Sequence, residues 1–361
     1  MRVKAFVLSV LLLASAASAD PVYNVVDLGV ISGGIGSTAY SISDNGHIAG
    51  YTVTLDGYQA TFFDSTGAGN NINLGSGTAC SINNKGQIVG NSVLGATLFD
   101  STGAGNNIAL GLLPGGFYCA AASINNKGQI VGSANIAMYN DRATLFDSTG
   151  AGNNINLGTL GGSSSEAFSI NDNGHIVGYA STVSSGAFAT IFDPTGAGNN
   201  INLGTIPGGG HSEALSISDN DQIVGRAVNA DGQWRAAFFD SSGAGNNINL
   251  GTLGGDYSEA FSINNDGQIV GWARTASGDY LATLFDPSGN GNNIDLNTLI
   301  DPSLSWKLWE ALSINDNGWI VGRGRNPQQQ DVAFLLKPIN VPEPATMLLL
   351  GLASFALRRK R

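Results

Sequence analysis

All five tryptophans of this 361-residue chain fall between positions 234 and 319. Trp234, Trp272, Trp306 and Trp309, together with Tyr257, lie in or beside segments that vary along the chain. Flat aromatic faces of this kind stack on the C–H surfaces of sugars, so a glycan platform is one chemistry open to them. Packing under loops is the other. Trp319 sits in a constant segment and reads as packing. A second group is acidic. Glu166, Glu213, Glu259 and Glu310 occupy equivalent positions and could hold Ca2+ through oxygen ligands, or stand as ordinary solvated carboxylates. Glu259 and Glu310 form the best candidate pair for cleaving a glycosidic bond. Beyond these the catalytic inventory is thin. His47, His175 and His211 are scattered, no Gly-x-Ser-x-Gly elbow occurs, and no His- or Cys-rich metal spacing is present.

The elements that must position these residues are set by an internal repeat. The isoleucine of a Ser-Ile-(Asn/Ser) element recurs at Ile42, Ile82, Ile124, Ile170, Ile217, Ile263 and Ile314, at intervals of 40 to 51 residues. One copy, residues 166 to 204, splits into four β-prone runs: Ala167 to Ile170 (strand a), His175 to Gly178 (b), Ala189 to Phe192 (c) and Ile201 to Leu203 (d). Asn171-Asp172-Asn173-Gly174 between a and b supplies the positive φ of a tight hairpin. Four strands in about 40 to 45 residues is the size of a propeller blade. The seventh copy stops after its third strand, Ala333 to Leu336, while Tyr23 to Gly29 matches a fourth strand and precedes the first copy. Pairing those two stretches removes two open edges, so the fold class expected is all-β, a seven-bladed β-propeller of four-stranded repeats closed by its N-terminal strand.

The repeat resembles the HAF-type extracellular repeat over about residues 23 to 340. Ile82-Asn83-Asn84-Lys85-Gly86-Gln87-Ile88-Val89-Gly90 matches its "INxxGQIVG" element, and Leu157 to Gly162 and Leu250 to Gly255 match its "LGTLGG". The His-Ala-Phe triplet is replaced in strand c by Gln59-Ala60-Thr61, Arg142-Ala143-Thr144 or Leu281-Ala282-Thr283. The resemblance implies an architecture and an extracellular compartment rather than a reaction.

The a–b turns and the c–d connections, such as Asp193 to Asn200, hardly change between copies, whereas the b–c and d–a connections do. Alternate connections of an up-and-down blade emerge on one side, which puts the variation, the Glu series and most of the aromatics on one face. The repeated Asp of the c–d loop lacks the alternating ligands of an EF-hand and reads as an Asx-turn former.

The ends carry addresses. Arg2 and Lys4, an apolar stretch from Ala5 to Ala14 and Ala17-Ser18-Ala19 make residues 1–19 a signal peptide. At the other end, Pro342-Glu343-Pro344, 13 uncharged residues from Ala345 to Leu357 and Arg358-Arg359-Lys360-Arg361 are similar to the PEP-CTERM sorting signal. That resemblance implies an exosortase as processing partner. As a helix the 13 residues would reach about 20 Å, a short transmembrane segment held by its basic end.

Of the 16 Lys and Arg, two lie in the leader and four in the basic tail, so 10 remain against 27 Asp and Glu, a balance of −17. Such a surface argues against nucleic acid and tolerates neutral glycans. Cys80 and Cys119, in an oxidising compartment, allow one disulfide between neighbouring repeats or two buried thiols. The sequence thus suggests three parts: signal peptide 1–19, propeller 20–340 and sorting signal 341–361. The expected product is an exported, monomeric surface protein without catalytic activity. Its membrane contact runs through the C-terminal segment, its ligand class is exopolysaccharide, and Ca2+ is the one candidate cofactor. The alternative is a glycan hydrolase or lyase at the channel mouth.

Overall fold

The structure, a computed structural model, describes residues 23–339 apart from 139 and 185. The signal-peptide and sorting-signal regions, including Pro342, Glu343 and Pro344, lie outside the described residues. Everything described is β-structure, turns and two single-turn 3-10 helices, Leu296–Leu299 and Pro302–Leu304. Among the described residues no helix is long and apolar enough to cross a membrane.

The fourth repeat runs Gly161–Ile170 (a), Ile176–Thr182 (b), Ala187–Phe192 (c) and Ile201–Gly204 (d), each strand antiparallel to the next. Its a–b turn closes through Asn171, whose carbonyl accepts from the Gly174 amide at 3.0 Å while Gly174 takes φ +89°. Residues in strand b of Ile-Val-Gly type follow from packing. A Cβ on Gly178 would collide with the Glu166 carbonyl oxygen, and the equivalent glycine of every repeat meets the same obstacle. Strand a extends further toward its N-terminus than its apolar core suggests, because Gly161 and Gly162 let it continue across an irregularity.

Five sheets have four strands and one has seven. The seven-stranded sheet arises because Ile72–Ile82 serves at once as the last strand of the first repeat and the first of the second. Only Gly75-Ser76-Gly77 separates the two roles there, too short for a loop, and both glycines take positive φ. No sheet closes on itself. In the sheet of the seventh repeat, Tyr23–Gly29 pairs antiparallel with Asp331–Pro338, setting Val25 opposite Leu336 and Val26 opposite Leu335.

Among the described residues the core is divided among seven apolar clusters, each built from two neighbouring repeats. Val131, Ala143 and Leu157 of the third meet Ile170, Ile176 and Phe192 of the fourth. Val321, Ala333 and Leu335 of the seventh, with Leu28 of the N-terminal strand paired to it, meet Ile42 and Phe63 of the first. Side-chain bonds follow the same path. The Asn125 amide donates to the Asn171 carbonyl at 2.9 Å, and Asn315 donates to Ser43 at 2.9 Å across a sequence separation of 272.

Candidate functional site

Two cavities lie along the inner strands. The smaller, about 190 Å³, is rimmed by the a–b turns of all seven repeats. Its acidic and amide side chains are spoken for. Asp172 accepts the Asn126 amide N–H at 2.7 Å and its side-chain NH2 at 2.8 Å, and the Asp316 N–H donates to Asp44 at 3.0 Å. The c–d loops are equally self-contained. Asp193 accepts from the Thr195 backbone and hydroxyl at 3.0 and 2.7 Å and from the Asn199 side chain at 2.9 Å. Those bonds, led by the Thr195 hydroxyl, hold its carboxyl down to about 2. The Asx-turn reading of this loop describes its geometry.

The larger cavity, about 660 Å³, opens on the side of the variable connections and is lined by Glu166, Glu213, Glu259 and Arg226, with Tyr40, Phe168, Leu215 and Phe261 also on its wall. Strand pairing explains the array. Repeats four to seven set Glu166 opposite Tyr179, Glu213 opposite Arg226, Glu259 opposite Trp272 and Glu310 opposite Arg323. The first three set Thr38 opposite Tyr51, Thr78 opposite Asn91 and Ala120 opposite Ser133.

Arg226 dominates one side. Its guanidinium donates to Glu213 at 2.8 Å and to Glu259 at 2.7 Å, and stacks over Trp234 at 4.6 Å from the ring centre. Two of the four proposed Ca2+ ligands thus already share one cation. Glu310 has Arg323 nearby, yet burial still raises its pKa, opposed by Arg323 and assisted by Glu259. Glu166 is different. Burial first, then Asp141 and Glu213, push it up to about 7. Among the described residues no set of three His, Cys, Asp or Glu is arranged to hold a metal ion.

The aromatics do not form one continuous platform. Trp234 belongs to the Arg226 cluster in repeat five. In repeat six Trp272 packs edge-on against Tyr280 at 5.6 Å, and Arg274 lies over both Tyr257 and Tyr280. In repeat seven Trp309 is shared by Arg323 at 5.3 Å and Arg325 at 4.9 Å. Trp306 turns inward against the core between repeats six and seven. Trp319 packs at the junction of repeats seven and one, beneath Lys337 at 4.4 Å. The arginines are the residues that sequence reasoning missed. Their signal was present: Ile-Val-Gly is followed by Arg226 and Arg323 where other copies have Tyr179 or Trp272.

No disulfide joins Cys80 and Cys119; both thiols are free. Cys119 is buried and accepts the Ala96 N–H at 3.2 Å, the place taken by Ser165, Ser212 and Ser258 in other repeats. Cys80 lies on the cavity wall beside Asn91 at 3.5 Å. His175 meets Asp221 at 2.6 Å on the opposite side of the molecule, where Asp221 fills a turn position otherwise held by glycine, with φ 60°.

Residues 340–361 match the PEP-CTERM protein-sorting motif. A comparison with curated proteins found no match to the chain. The motif marks an exported protein sorted to the cell surface or beyond it by an exosortase, which makes that enzyme its processing partner.

Proposed function

We propose that the protein is a seven-bladed β-propeller of HAF-type repeats whose variable face binds exopolysaccharide of the surface matrix without cleaving it. Seven inter-repeat cores, one of them between the last repeat and the first, support the propeller reading. The observation that carries the function is the pairing of aromatic rings with guanidinium groups on strands that lead to the variable connections, Trp234 with Arg226, which also lines the larger cavity, and Trp309 with Arg323 and Arg325. Such pairs present a flat apolar face beside hydrogen-bond donors, the combination that suits sugar rings. Direction supports it as well. Strand Asp331–Pro338 runs from the variable loop at Asn326–Gln330 to the constant face, so the described chain ends on the side away from the proposed binding mouth. The propeller spans 20–340, with the leader before it and the sorting signal after it.

A non-catalytic role is favoured because Glu259, half of the best carboxylate pair, is held by Arg226 at 2.7 Å rather than free to act as nucleophile or base. Co-sedimentation with purified native matrix tests the reading. The double variant Trp234→Ala, Trp309→Ala is expected to lose at least about tenfold in retention, as removal of two anchoring aromatics does at interfaces. Unchanged retention, or release of reducing ends by the wild-type chain, would overturn it.

A further inference from the structure

The larger cavity is lopsided. Repeats two and three contribute only small side chains to it, namely Thr78, Cys80, Asn91, Ala120, Ala122 and Ser133. Their counterparts include Glu213, Arg226, Phe168 and Leu215. The result is a notch cut into one side of the channel wall, within a cavity whose volume of about 660 Å³ falls in the range of small-molecule sites, roughly 300–1,000 Å³.

Glu166 stands at the edge of this notch, in the repeat that follows it. Among the described residues its carboxylate accepts no hydrogen bond and pairs with no Lys or Arg. The guanidinium on the cavity wall, Arg226, is already shared by Glu213 and Glu259. Besides burial, the groups acting on Glu166 are Asp141 and Glu213, both acidic, and its own charge in turn raises the neighbouring Tyr118 and Tyr179 hydroxyls. A half-buried carboxyl with acidic company and no partner favours an incoming positive charge and disfavours an anion. On the same wall Phe168 supplies an aromatic ring, and Thr78, Asn91 and Ser133 supply short polar groups.

We propose that the notch binds a sugar unit carrying a free amine, its ammonium set against Glu166 and its C–H face against Phe168. This rests on the polysaccharide-binding reading and names the class of sugar. The matrix polymer recognised is accordingly one with unacetylated hexosamine units. A uronic acid would meet the Glu166 and Glu213 charges, and an N-acetyl group would remove the cation while adding bulk at the notch.

Calorimetric titration of the full chain with a glucosamine trisaccharide and with its N-acetylated counterpart tests the inference. The free amine should bind at least tenfold more tightly than the acetylated form. Glu166→Gln, which keeps the shape of the side chain, should abolish that preference. Ala122→Trp, which fills the notch, should abolish binding of the trisaccharide altogether while the protein remains folded by circular dichroism. Equal affinity for the two sugars, or a preference that survives both variants, would overturn the proposal. If neither trisaccharide binds but native matrix still co-sediments, the amine assignment falls and the broader reading stands; if matrix is not retained either, both fall.

Discussion

The two faces of the molecule handle polar groups in opposite ways. On the constant face the repeated carboxylates are met by donors: Asp172 takes two hydrogen bonds from Asn126, Asp193 takes four from its own loop, and Asn125 ties one repeat to the next. On the variable face Glu166 has none among the described residues, and Glu213 and Glu259 must share one arginine. Satisfied polar groups at the turns make each repeat fit its neighbour in the same way, which is why those segments hardly vary. Unsatisfied ones are tolerable only where something else can complete them. The contrast separates scaffold from candidate site without any appeal to a known reaction.

That contrast can be broken most severely on the scaffold side. Leu28, only 1% exposed, sits in the cluster joining the seventh repeat to the first. Leu28→Asp places an unpaired charge there, and a loss of about 4 kcal/mol or more is expected, read as a collapse of the urea midpoint or failure to fold. Survival with an unchanged midpoint would mean that this junction carries no stability.

A smaller effect of the opposite sign is expected from Glu166→Gln. The folded-state pKa of Glu166, about 7, lies above its ordinary value, so the folded chain holds the proton more tightly than the unfolded one. Below about pH 4.5 the group is protonated in both states and the variant should match the wild type. As pH rises toward 7 the wild type loses stability that the glutamine variant keeps, on the order of 1–3 kcal/mol, and the gap levels off above that. Denaturation midpoints at pH 4, 6 and 8 would show the widening; parallel curves would contradict the strained carboxyl. Smallest of all, Leu55→Ser at a variable loop tip exposed to 93% should change stability by no more than about 0.5 kcal/mol.

Much of the scaffold was legible because its signals recur. The Ile-Val-Gly of strand b, the Asn-x-x-Gly turn and the Asp-led loop each appear several times, and repetition turns weak local preferences into a firm period. The pairing of Tyr23–Gly29 with Asp331–Pro338 was readable from the strand missing at one end and supplied at the other. The fusion of two strands at Ile72–Ile82 was not, since Gly-Ser-Gly reads as a turn unless the length of the connection is weighed. The candidate site was legible only in part. Its glutamates and tryptophans drew notice by type, but Arg226 and Arg323 depend on facing across a strand pair, and the notch at Ala120 and Ala122 is made by side chains too small to stand out.

The proposed propeller requires the seven repeats to form one closed cycle through the strands Tyr23–Gly29 and Asp331–Pro338. Asn24 and Lys337 are directly paired across that junction. In a Cys80→Ser, Cys119→Ser background, Asn24→Cys with Lys337→Cys should form an intramolecular disulfide in a monomer under mild oxidation. Peptide mapping would then identify the link between residues 24 and 337. Finding both thiols unreacted, or bridges only between separate chains, would contradict the closed cycle.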